Sequence, residues 1–353
     1  MSLKKIVLPI IIIIIIICMF FVNSLIDKFE KQEVEVGEKT SMKIGVSIYN
    51  QYDTFISSLV DYLTEEAKQK EQEVGITITL DIVSAGGSQV TQNYQVENFI
   101  EEDYDILCIN LVDRTDASIA IDKAMNANIP VIFFNRELVE KDLKRWDQLF
   151  YVGAVALESG IMQGQIVVDA CEADFNKIDK NMDGILQYVI LEGEPGHQDS
   201  SIRTEYVMKT ITEAGIKVEK LGDEIANWNR AQGETRMSQW LKNLESEMEI
   251  VIANNDDMAL GAIDAMKKEG IENPPVVVGI DGTKVGLEAI KNGEMIGTVL
   301  NDGRGQADGI IELAYSIVFD KPLPEGIKLI DGKYIRKPHI IVTPENIDEV
   351  LQD

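Results

Sequence analysis

The nine residues Asp179-Lys180-Asn181-Met182-Asp183-Gly184-Ile185-Leu186-Gln187 place oxygen ligands at the spacing used by calcium loops. Side-chain oxygens stand at positions one, three and five. Gly184 permits the sharp turn at six, Ile185 offers a main-chain carbonyl at seven, and Gln187 reaches back from nine. An EF-hand loop closes with a bidentate glutamate at position twelve, where this chain has Ile190. Val189, Ile190 and Leu191 continue an apolar run that reads as a buried strand, so the loop leads into a sheet where an EF-hand has its second helix. A metal held here takes its missing carboxylate from elsewhere in the chain. Without one, the same residues make a solvated Asp/Asn/Gly turn.

A second set of polar residues stands just after apolar runs. Asp53 and Phe55 follow the run ending at Ile48, Asn110 ends the run from Ile106, Asn255 follows Ile250–Ala253, Asp281 follows Val276–Ile280, and Asn301 follows Gly297–Leu300. Past Leu191 come Gly193-Glu194-Pro195-Gly196-His197-Gln198-Asp199 and then Arg203, and Trp228 lies beyond the run at 217–221. A sugar hydroxyl donates and accepts at once, so carboxylates take its proton while amides and a guanidinium fork return donors. The C–H faces of a pyranose pack on aromatic rings, for which Phe55 and Trp228 are candidates. Asp53, Asp199 and Asp281 face one certain cation, Arg203, so the expected ligand is neutral. Taken singly, each Asp or Asn also serves as a helix N-cap or turn residue, His197 as a loop histidine and Trp228 as a packed core residue.

From Lys43 onward, short apolar strands alternate with amphipathic helices, the pattern of parallel sheets with crossover helices. Strands are expected at 43–48, 76–82, 106–109 and 131–134, with helices near 53–70, 88–101 and 116–126. A second series has strands near 185–191, 217–221, 250–253, 276–280 and 297–300, with helices near 203–214, 229–244, 256–269 and 283–292. The implied fold is α/β, two doubly wound parallel-sheet lobes joined by a hinge. The first lobe is expected to hold 43–134 plus 302–336, and the second 135–301 plus 337–353. Ligands of such sheets bind outside the carboxyl ends of the strands, where the Asp and Asn residues stand. No Gly-rich phosphate fingerprint follows any strand, Gly86-Gly87 being only a turn signal, so dinucleotide binding is not expected.

The 353 residues, 45% hydrophobic, suffice for two ordinary cores. A net charge of −27 without any Lys/Arg cluster argues against nucleic acid as a partner. Lys4 and Lys5 precede an uncharged, isoleucine-rich stretch from Ile6 to Val22, so residues 1–26 read as a signal peptide or signal anchor that exports the rest of the chain. Cleavage near Val22-Asn23-Ser24 and lipidation at Cys18 are the rival fates, the second disfavoured by bulky Ile17. Residues 27–42 read as a charged tether. Cys108 lies in a strand pattern and Cys171 in a helix pattern, as buried thiols rather than a disulfide.

Several blocks in order carry a resemblance. Ile48-Tyr49 with Asp53 and Phe55, Ile109-Asn110-Leu111-Val112-Asp113, Phe133-Phe134-Asn135, Tyr151-Val152-Gly153, Gly193-Glu194-Pro195-Gly196-His197, Ile252-Ala253-Asn254-Asn255-Asp256 and Gly297-Thr298-Val299-Leu300-Asn301-Asp302 together resemble the D-galactose/D-glucose-binding proteins of the type 1 periplasmic binding protein family. The resemblance runs from about Lys43 to the C-terminus. It implies a monomeric receptor for D-galactose or D-glucose that serves an ABC transporter permease, with a chemoreceptor as a further partner. It also implies hydrogen bonds to the sugar from Asp53, Asn110, His197, Asp199, Arg203, Asn255, Asp281 and Asn301, and stacking by Phe55 and Trp228. For the metal loop it implies Ca2+ held by Asp179, Asn181, Asp183, Ile185 and Gln187, completed by Glu249. Gln198 departs from the usual proline, Gly282-Thr283 replaces a different loop, and the N-terminal segment departs from members that are soluble in a periplasm.

Three functions compete. A binding receptor requires hinged lobes and no turnover. A glycoside-processing enzyme requires a carboxylate pair around a scissile bond, for which Asp53 and Asp281 are available, but the hydroxyl-binding groups leave no room for an aglycone. A regulator on the same fold would carry a DNA-binding helix-turn-helix at the N-terminus, where this chain has its apolar segment. The receptor is the expectation.

Overall fold

The computed structural model describes residues 39–351. The expected export segment and all but the end of the expected tether lie outside those residues. Among the described residues no helix is long and apolar enough to cross a membrane.

Two parallel sheets organise the chain. The first has the order β11-β5-β4-β3-β1-β2, built from β1 (Ser41–Ile48), β2 (Thr77–Ser84), β3 (Ile106–Ile109), β4 (Val131–Phe134), β5 (Leu149–Gly153) and β11 (Tyr334–Arg336). The second has the order β7-β6-β8-β9, from β6 (Leu186–Glu192), β7 (Val218–Ile225), β8 (Ile250–Ala253) and β9 (Val276–Val278). Parallel bridges from Val278 to Gly297 and from Asp281 to Leu300 set β10 (Thr298–Asn301) beside it, and β10 pairs antiparallel with β12 (His339–Val342). All four residues of β3, β4 and β8 are buried, as strands covered on both faces require.

Helices cover both faces of each sheet. On the first they are α1 (Thr54–Val74), α2 (Gln89–Glu101), α3 (Ser118–Ala127) and the one-turn α4 (Glu140–Leu143). On the second they are α5 (Ala156–Ile178), α6 (Gln198–Glu213), α7 (Arg230–Leu244), α8 (Asp256–Glu269) and α9 (Lys284–Lys291), after which α10 (Gly303–Phe319) returns to pack on α1 and α11 (Ile347–Val350) ends the chain. α5 contains non-helical backbone at Asp174, five residues before the Asp179 loop.

The α/β architecture matches the expectation, with one correction to the lobe boundary. β5 pairs in parallel with β4, Val131 opposite Leu149 and Phe134 opposite Val152, so the first sheet continues to Gly153 rather than ending at Phe134. Charged 140–147 separates the two strands and hides the apolar run. The helices at 156–178 and 303–319 also go beyond the expected set, and α6 begins at Gln198 rather than 203 because His197 caps it. The chain passes between the sheets three times, after β5, after β10 and after β11, and these crossings form the hinge side of the molecule. Cys108 and Cys171 are buried free thiols.

Candidate functional site

The cap and the ligand group are the same residue at several strand ends. Asp53 caps α1 by accepting the Ile56 N–H with Oδ1 at 2.9 Å, which leaves Oδ2 to accept the Tyr49 hydroxyl at 2.6 Å. Asn255 caps α8 by accepting the Met258 N–H at 3.0 Å, and its amide donates to the Trp228 carbonyl at 3.3 Å. His197 caps α6 through Nδ1, which accepts the Asp199 N–H at 3.1 Å. That bond fixes the proton on Nε2. Burial, then Arg136, Arg203 and Arg114, hold the imidazole well below its ordinary pKa, so it is a neutral ring with one N–H to offer. Capping therefore orients these side chains toward the cleft without using all their hydrogen-bonding capacity.

Between the lobes lies a cavity. Asp53 and Phe55 line it from the first lobe, and His197, Asp199, Arg203, Trp228, Asn255 and Asp281 line it from the second. Arg203 is the centre of the polar set. Its Nη1 donates to the Asn254 carbonyl at 2.8 Å and its Nε to the Ser159 hydroxyl at 3.2 Å, while the carboxylates of Asp199 and Asp281 stand 3.6 and 3.7 Å away. Burial pushes the carboxyls of Asp199 and Asp281 upward and the Arg203 charge opposes it. The carboxylates therefore gain from any ligand donor that enters.

Trp228 is held by strained backbone. Asn227 and Trp228 have φ of 51° and 60°, consecutive left-handed conformations that cost on the order of 1–3 kcal/mol each in residues other than glycine. The indole then lies on Gly193, where a Cβ would come within 2.1 Å of the ring, and edge-on to His197 at 5.1 Å between centroids. The indole N–H is buried without a partner in the protein. Asp281, with φ of 120°, is a third strained residue of this wall.

Two of the expected ligand residues are not in the cavity wall. Asn110 is fully buried, accepts the Tyr49 N–H at 3.2 Å and donates to Phe134 O and Asn135 Oδ1 at 3.3 and 3.1 Å, so it braces the segments that do line the cavity. Asn301 accepts from Gln306 Nε2 at 2.7 Å at the end of β10. Tyr49, Asn135 and Arg136 line the cavity and were not expected there. The strand-end rule reaches Asn135 and Arg136 when applied to β4, whose last residue is Phe134. Arg136 also corrects the charge reading, because two guanidiniums rather than one face the three carboxylates.

The lobes touch across the cavity mouth. Thr54 donates to Asp257 Oδ2 at 2.6 Å, Arg136 to Glu194 Oε2 at 2.6 Å, and Arg114 to Gln198 Oε1.

At the far end of β6 and β8, the Asp179 loop leads into β6, as its apolar continuation predicts. Glu249, one residue before β8, reaches it and accepts the Lys180 N–H at 2.6 Å and the Gln187 N–H at 3.1 Å. Asp179 accepts from the amides of Asp183 and Gly184 at 3.2 and 2.9 Å, and Asp183 Oδ2 accepts from the side chains of Asn181 and Gln187 at 3.1 and 2.9 Å. The Lys180 ammonium donates to the carbonyls of Met248 and Asn273, at 3.1 and 2.8 Å, and feels the charge of Glu249 without a direct ion pair to it. Buried Asp179 and Glu249 thus keep oxygens whose only partners are N–H groups. Among the described residues no three His, Cys, Asp or Glu side chains form a ready-made metal cluster, so a cation here would depend on the amide and main-chain oxygens as well. That donor set fits a hard cation with oxygen ligands and not a soft metal.

Comparison with known proteins gives a consistent picture. Residues 44–322 match the periplasmic binding protein domain. The chain is 35% identical over 312 residues to the D-galactose/methyl-galactoside binding periplasmic protein of Haemophilus influenzae, covering 88% of this chain and 92% of that protein. It is 33% identical to a putative rhizopine-binding protein of Rhizobium meliloti, over 77% of this chain and 82% of the relative. Among solved structures, an ABC transporter solute binding protein from Bacillus halodurans with bound myo-inositol aligns with a TM-score of 0.72 at 30% identity, covering 89% of this chain and 99% of that one.

Proposed function

This chain belongs to the periplasmic binding protein family, a sugar-binding extracytoplasmic receptor for ABC transport and not an enzyme, and from that premise we propose that its ligand is a neutral hexose, galactose or glucose. The observation that carries the choice is the lining of the cavity. Asp53, Asp199, Asp281 and Asn255 supply acceptors, Arg203 and neutral His197 supply donors, and Phe55 and Trp228 supply apolar faces from opposite lobes. A methyl-galactoside is the natural variant of the same ligand, in line with the Haemophilus relative's printed name. Contacts such as Thr54 with Asp257 form only when the lobes approach, so ligand affinity and lobe closure are one equilibrium.

The Asp179 loop is proposed to hold structural Ca2+ through Asp179, Asn181, Asp183, the Ile185 carbonyl, Gln187 and Glu249. Turning the Asn181 and Gln187 amides about would exchange their donated N–H groups for oxygens. The ion would tie the loop to the start of β8, whose other end carries Asn255. Export by the apolar segment 6–22, cleaved as a signal peptide or kept as an anchor, completes the proposal, resting on sequence.

Calorimetry of the protein with a panel of hexoses and pentoses is the test. Saturable binding of galactose or glucose with a 1:1 stoichiometry is expected, and its absence while a pentose or an inositol binds would replace the ligand but not the receptor.

A further inference from the structure

One buried side chain stands where all three crossings between the lobes converge. His339 opens β12, with only Lys337 and Pro338 between it and Arg336 at the end of β11, so it is the first strand residue of the second lobe on the third crossing. In the β10–β12 ladder it lies opposite Asn301, the last strand residue before the second crossing. Glu158, in the first turn of α5 just past the first crossing, brings Oε2 to 3.5 Å from Nδ1 without making a hydrogen bond. His339 is 4% exposed, and neither ring nitrogen has a hydrogen-bond partner in the protein. A buried imidazole ordinarily bonds through its polar atoms, so this ring is left with an unmet donor and an unmet acceptor.

We propose that His339 is a pH-sensitive switch in the hinge: neutral while the lobes are closed, it takes up a proton when they part, so mild acid opens the receptor and releases its sugar. The bonds across the cavity mouth mark the present arrangement as closed. In it, burial and then the Arg203 charge lower the imidazole to about 3. Opening at the crossings admits water to the ring and restores the ordinary value of about 6.5, and half-exposed Glu158 is placed to receive the imidazolium. The other charges around the ring are accounted for. Arg203 of α6 opposes the proton, β10 presents no charged side chain, and on the hinge segment itself Arg336 is paired with Glu137 and Lys337 with Asp308. Between about pH 3 and 6.5 the open form therefore holds a proton that the closed form lacks. Closure is favoured fully above that window and loses ground as pH falls through it.

The inference rests on closure of the receptor around its sugar, and not on which sugar that is. The test therefore uses whichever member of a panel of hexoses, pentoses and inositols binds tightest, so that loss of the hexose reading does not decide it. The chain has 2 histidines, so proton NMR can follow the His339 ring in the wild type, and His339→Phe, which keeps an uncharged ring, assigns its signal. Without sugar the ring is expected to titrate near about 6.5, and with saturating sugar to stay neutral down to about pH 4. By calorimetry with calcium present throughout, wild-type affinity should fall about tenfold further than that of His339→Phe between about pH 7.5 and 5.5. At the lower value the wild type should release close to one more proton per sugar bound. His197 keeps its own titration in both proteins, so the difference between them isolates His339. A ring that titrates alike with and without sugar overturns the proposal, as does a variant whose affinity follows pH as the wild type's does.

Discussion

The cleft and the Asp179 loop share Asp and Asn as their acidic and amide residues, yet they are suited to opposite ligands. In the cleft, three carboxylates face two guanidiniums and a neutral histidine, and two aromatic rings close the sides. In the loop, the hydrogen bonds to three carboxylates come from backbone and amide N–H groups, and the nearest ammonium, Lys180, bonds to carbonyls instead. Balanced charge with apolar faces suits a neutral polyol, whereas unbalanced oxygen suits a cation. The acidic side chain is common to both, and the groups placed beside it differ.

The hardest blow to this contrast is Arg203→Met, which removes the buried cation and leaves Asp199 and Asp281 unbalanced. Losing one partner of a buried ion pair costs on the order of 3–5 kcal/mol, so sugar affinity measured by calorimetry should fall by more than about a hundredfold. Calcium-dependent thermal stabilisation of the same variant should persist. Near-wild-type sugar binding would mean that Asp199 and Asp281 do not serve as acceptors. Trp228→Ala comes next, with roughly 2–4 kcal/mol of binding lost and no change in the calcium response. Its readout is the ratio of hexose to glycerol affinity, which collapses only if the ring provides a stacking face.

From the other side, Glu249→Ala attacks the loop alone. Saturating calcium should raise the melting temperature of the wild type by about 5 °C, given a ligand near a hundred times its dissociation constant. The variant should lose most of that rise and bind sugar within about twofold of the wild type. An undiminished calcium response would remove Glu249 from the shell.

The fold was legible because parallel strands buried on both faces are near-continuous apolar runs, as Ile106–Ile109 and Ile250–Ala253 are. β5 was harder to read, since its partner is β4 across a charged segment and pairing between strands leaves no local mark. The site was legible through the strand-end rule and the resemblance, and eight of the ten expected sugar residues line the cavity. Asn110 and Asn301 stand at equally good strand ends, but Asn110 bonds to Tyr49, Phe134 and Asn135 and the Asn301 side-chain carbonyl accepts from Gln306, which only the packing reveals. Arg136 lies within reach of the strand-end rule at β4, but only the fold shows that its guanidinium lies over Tyr49 in the cavity wall. Likewise Glu249 could not be told from Glu245 or Glu247 by spacing, and the structure puts it on the loop.

The subtlest effect concerns the strand between the two regions. β8 runs from Glu249 at the loop to Asn255 at the cleft, and the next residue, Asp256, is fully buried. Gly279 and Gly286 pack so closely that a Cβ on either would come within 2.3 Å of its carboxylate. Burial pushes this carboxyl up to about 7, although Thr298 Oγ1 at 2.6 Å and the Thr283 amide at 2.7 Å donate to it and oppose the rise. The folded state therefore holds a proton that the unfolded chain has released at the ordinary carboxylate pKa. Stability should fall as pH rises through the window from about 4 to 7, and the loss should be complete above it. Asp256→Asn removes that titration. It lowers the melting temperature overall, because its amide meets the Thr283 N–H, but the fall between pH 4.5 and 7.5 should be flatter than in the wild type by about 2–4 °C. Parallel melting curves for the two proteins across that range would place the proton elsewhere. A flatter curve whose difference shrinks when calcium is added would tie the loop and the cleft together through β8.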